Sequence, residues 1–176
     1  YFISLDKLIY DRKDIGQIQA ITDWIDAHCD AGEISYMIPH DMLYNPDHFK
    51  NCRLPEASIN DKLAFGFSVP GTHNFPMQFF EAKYVITCDP FPQTYAGSGE
   101  MSIKLNERFL AAKDDAFTFE QSFDMGNGTT FTIWRRTAAP TRAEVEYYLS
   151  AFAAEDAQYP EMFSQVAEAW LTAHGL

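Results

Sequence analysis

Two short apolar runs, each stopped by a proline, do most to limit what this chain can fold into. Ile34-Ser35-Tyr36-Met37-Ile38 ends at Pro39, and Ala82-Lys83-Tyr84-Val85-Ile86-Thr87-Cys88 ends at Asp89-Pro90. Runs of this length, rich in β-branched and aromatic residues, read as strands covered on both faces. Proline has no amide hydrogen to continue a ladder, so the chain turns away at the C-terminal end of each run. Ahead of the first run, Ile15, Ile18, Ile21 and Ile25 recur at helical spacing from Asp14 onward, with Gly32 as the expected stop. Asp11 and Asp14 place negative charge near the start of that helix. A second helix is expected from about Gly99 to Lys113, carrying Met101, Ile103, Leu105, Phe109 and Leu110. This alternation predicts an α/β domain with a three-layer, Rossmann-like sheet whose core is parallel.

The second half adds a different signal. Phe117, Phe119 and Phe123, then Phe131 and Ile133, alternate along two segments joined by Gly126-Asn127-Gly128. Asn and Gly tolerate positive φ, so this reads as an antiparallel hairpin at one edge, making the sheet mixed. Two helices are expected to follow. Thr141 and Glu144 have capping-box spacing, and Pro160 suits the first turn of a helix running to about His174. A long stretch from His40 to about Phe80, with Pro46, Pro55, Pro70 and Pro76, reads as irregular apart from a short helix near 47–51 and a strand near 63–67. The 176 residues suit a single α/β domain over 1–176.

Composition narrows the function. A formal net charge of −12 would repel a phosphate backbone and anionic lipid, so no nucleic-acid partner is expected. No stretch reaches the roughly 20 apolar residues that cross a bilayer. Tyr1 stands where an initiator methionine would be, which reads as a piece of a larger protein. Cys29, Cys52 and Cys88 form no metal-ligating pair and read as buried thiols, although one disulfide stays open outside the cell. The histidines show no HExxH spacing, and no nucleophile elbow, P-loop or dinucleotide fingerprint is present. No metal or other cofactor is therefore expected. Asn127-Gly128-Thr129 has the form of a glycosylation site, but a tight hairpin turn accounts for it better.

If the two strands are parallel, the loops after Ile38 and Cys88 open on one edge, where open α/β sheets bind ligands. The candidate ligand contacts there are Asp41, Tyr44, Asn45, Asp89 and Gln93, with His73 near, and His40 adjoins them. Asp41 and Asp89 have the chemistry of an acid/base pair or of oxygen ligands. The same residue types also terminate strands and shape turns without further function.

Taken in order, four segments resemble a known family. Tyr10-Asp11 leads through Asp14-Ile15 into an amphipathic helix. Tyr36-Met37-Ile38-Pro39 is followed by Leu43-Tyr44-Asn45-Pro46-Asp47, then Asn51 and Pro55. Phe79 to Ile86 runs into Asp89-Pro90 and Gln93, and the Phe-rich hairpin ends at Ile133-Trp134-Arg135-Arg136. This series is similar to the C-terminal soluble domain of bacterial polytopic glycosyltransferases of the dolichyl-phosphate-mannose mannosyltransferase-like, GT-C type. It covers about residues 10–137; within the single domain, 1–137 is the family-like core and 138–176 a helical extension outside the resemblance. The resemblance implies a domain on the extracytoplasmic face, attached to the membrane part of its parent. It implies partnership with a glycan or a polyprenyl-phosphate-linked sugar. It also places the catalytic carboxylates in membrane loops outside this chain, so no catalytic residue is carried over. Without the resemblance, a free-standing carbohydrate- or protein-binding module, or a small enzyme using Asp41 and Asp89, stays open.

Overall fold

The second apolar run forms the central strand of the sheet. The computed structural model describes residues 17, 19–39, 63–65, 77–91, 100–126, 128–153 and 160–176. Five strands are β1 (Ser35–Met37), β2 (Leu63–Phe65), β3 (Tyr84–Asp89), β4 (Phe117–Asp124) and β5 (Thr130–Arg136), in the spatial order β2-β1-β3-β5-β4. β1 pairs in parallel with both β2 and β3, whereas β5 pairs antiparallel with β3 and with β4. The mixed sheet, with its hairpin at one edge, follows the sequence expectation. Helix α1 spans 19–28, and α2 (Gln78–Glu81), α3 (Glu100–Ala112), α4 (Arg142–Ala153) and α5 (Pro160–Ala173) complete the helices described.

Strand alternation distributes β1 and β3 between two apolar clusters. Met37, Tyr84, Ile86 and Cys88 join Ile21, Ile25 and Cys29 of α1 and its C-terminal end, together with Phe131 and Ile133. Tyr36, Ile38 and Val85 join α2 to α5 through Phe80, Phe109, Tyr148 and Trp170. Phe79 is the hub of this second cluster. Its ring meets those of Tyr36, Phe80, Phe109 and Tyr148 at centroid separations of 5.5, 5.2, 6.2 and 4.9 Å, all near edge-to-face. Such geometry matches the positive ring edge to the negative face. The sequence reading extends an irregular stretch to Phe80; instead Phe79 and Phe80 sit on a helical turn at the centre of the core. A four-residue helix has too little periodicity to show in sequence. The expected helix near 47–51 lies outside the described residues.

Three local readings are corrected by packing. Helix α1 ends at residue 28, before Gly32, which at φ +89° instead serves the turn closed by the bond from the Glu33 amide to the Asp30 carbonyl at 3.1 Å. The helix end is capped by His28, whose Nδ1 lies 2.6 Å from the Trp24 carbonyl with its ring stacked on Trp24. His174 and Trp170 repeat the device at the end of α5, at 2.8 Å. In β4, Glu120 is an extra residue between Phe119, opposite Trp134, and Gln121, opposite Ile133. This bulge sends Phe117 to the α2–α5 side and Phe123 to the α1 side, although their spacing in sequence implies one face. At α4, Thr141 Oγ1 accepts the Glu144 amide at 3.1 Å, as a cap should. The Glu144 carboxylate does not close the box. It takes two 3.0 Å bonds from Arg136 at the end of β5. A charged pair at the core margin is satisfied better by a guanidinium fork than by one amide.

That pair bolts α4 to the sheet, with the two side chains only 9% and 14% exposed and the Arg136 guanidinium 4.5 Å from the Phe117 ring centroid. Glu144→Ala strands a buried cation, and urea unfolding should show a loss of about 3 kcal/mol. A loss below about 1 kcal/mol would place the pair with ordinary surface bridges.

A second link, Lys83 Nζ to Glu33 Oε2 at 2.6 Å, ties the segment after α1 to the start of β3. The Lys83 hydrogen bond holds the Glu33 carboxyl below its ordinary 4.5, and the same bond raises the Lys83 ammonium above its ordinary 10.5. Both groups are about one-third exposed, so a double-mutant cycle with Glu33→Gln and Lys83→Met should read no more than about 1 kcal/mol at neutral pH. A folded pKa below the unfolded one contributes stability above the ordinary glutamate value. The coupling should therefore fade as pH falls below 4.5, and at the other end as it rises above 10.5.

Candidate functional site

Parallel pairing of β1 and β3 brings their C-terminal ends to one edge, and the topology makes this the switch point of the sheet. From β1 the chain goes to β2 on one side, whereas β3 lies on the other. In open α/β sheets such a point is where ligands are held; the segments that leave these two strands, 40–62 and 92–99, lie outside the described residues.

Of the candidate contacts, Asp89 is described, and Asp41, Tyr44, Asn45, His73 and Gln93 lie outside the described residues. Asp89 is the last residue of β3, exposed, and followed by a cis peptide bond to Pro90. Phe91 comes next, partly buried and packed against both apolar clusters, so its ring lies across the end of the sheet.

Asn106 is the polar residue at this edge that sequence reasoning missed. The last β1 bond to β3 runs from the Ile38 amide to the Ile86 carbonyl, at 3.0 Å. Pro39 follows, and His40 lies outside the described residues. Beyond that bond, Asn106, buried on α3, pairs with β3. Its Oδ1 accepts the Cys88 amide at 3.1 Å, and its Nδ2 donates to the Cys88 carbonyl at 2.8 Å. One side-chain amide thus pairs with Cys88 as a peptide group would and holds α3 against the end of β3. The available signal was an Asn inside a helix that Leu105 and Phe109 mark as core-facing, where its propensity is poor.

Burial, and then the negative charge of Asp89, push the Cys88 thiol far above its ordinary range, so it stays protonated and is a poor nucleophile. Cys29 is buried, with its sulfur 3.0 Å from Ser35 Oγ, and Cys52 lies outside the described residues. Among the described residues no three His, Cys, Asp or Glu side chains converge as a metal site would require. Nor is any helix among them long and apolar enough to cross a membrane.

Comparison with known protein families, curated proteins and solved structures finds no match to this chain. The glycosyltransferase resemblance therefore rests on the sequence segments alone.

Asn106→Leu should leave the Cys88 amide and carbonyl buried without partners and lower unfolding free energy by about 2–5 kcal/mol. Asn106→Asp makes a sharper test. A charged carboxylate still accepts the Cys88 amide but faces the Cys88 carbonyl without a proton to donate. The introduced carboxyl should be held above the ordinary range, so stability should recover as pH falls toward about 4 and decline again as pH rises. A pH-independent loss in thermal unfolding would show that the amide does not pair with Cys88 as a peptide group would.

Proposed function

We propose that this chain is a binding domain accessory to a membrane-embedded glycosyltransferase that uses a polyprenyl-phosphate sugar donor. On this reading it stands at the extracytoplasmic face as part of a larger membrane protein, with catalysis in the membrane part. The observation that carries the proposal is the order of the resembling segments. The parallel pairing of β1 with β3 supports a role in binding, because two of those segments, ending at Pro39 and at Asp89-Pro90, leave their strands at the same switch-point edge. Asp89 is exposed there to accept hydrogen bonds from sugar hydroxyls. We read the architecture as three-layered and Rossmann-like, with α1 on one face of the sheet and α2 to α5 on the other; the two apolar clusters support that reading. A fold of this class is a scaffold for many functions, so sugar binding is inferred from the edge and the segments.

A second reading, a free-standing carbohydrate- or protein-binding module, is favoured by one separate observation. Phe119 is 59% exposed beside Trp134 at the far edge of the sheet.

The gene upstream of Tyr1 decides between them. Several hydrophobic spans of roughly 20 residues, with acidic residues in an early outer loop, are expected on the first reading. A full-length product without such spans would overturn it.

A further inference from the structure

We draw no further inference here: the strongest candidate, the row of Asp89, Thr130 and Asp124 that strand register sets side by side across β3, β5 and β4 at one end of the sheet, is two exposed carboxylates about one exposed hydroxyl, and nothing in the described structure shows what ligand they would hold.

Discussion

β3 is buried from Tyr84 to Cys88 and has a strand on each edge, so its side chains demand cover on two faces and its backbone demands partners on two sides. The rest of the fold answers those demands. α1 supplies Ile21 and Ile25 for one face, while Phe80, Phe109, Tyr148 and Trp170 reach the other from four different helices. β1 and β5 supply the hydrogen-bonding edges. At Cys88, a helix side chain takes both backbone groups. An unpaired buried peptide is expensive enough that this pairing constrains where α3 sits.

Polar groups inside the fold follow the same accounting. Thr87 would be a misplaced hydroxyl on an apolar strand, but it accepts the Trp134 indole N–H and lies 3.4 Å from the Thr132 carbonyl. Arg136 and Glu144 keep their charges near the core because the guanidinium meets both carboxylate oxygens in a two-pronged geometry, although Arg136 Nε is buried without a hydrogen-bond partner. The tail helices belong to this scheme. Val145, Tyr148, Leu149, Ala167, Trp170 and Leu171 share one cluster with Phe79 and Phe80, and the Trp170 indole reaches Glu81 of α2 at 2.9 Å. The segment outside the family resemblance is thus part of the same core as the sheet.

The two edges of the sheet differ in kind. The switch-point edge is defined by topology: β1 and β3 are parallel neighbours with β2 on one side and β5 on the other. The far edge is defined by side chains: Phe119 stands largely in water beside a Trp134 braced by Thr87 and Lys113.

The sequence by itself determined the parts that local physics controls. Apolar runs closed by proline marked β1 and β3, the Gly-Asn-Gly signal marked the hairpin, Thr141 marked the start of α4, and the placement of Asp89 at a strand end followed from its neighbours. Each depends on residues adjacent in the chain. What only the tertiary structure decided depends on partners far apart in sequence. Asn106 finds Cys88, Glu144 abandons its capping amide for Arg136, and Phe79 becomes a hub because helices that come later in the chain close around it. The bulge at Glu120 belongs here as well. Period-two alternation assumes an unbroken ladder, and one extra residue, accommodated only because β5 pairs on either side of it, reverses which face Phe123 takes and leaves Phe119 standing beside Trp134.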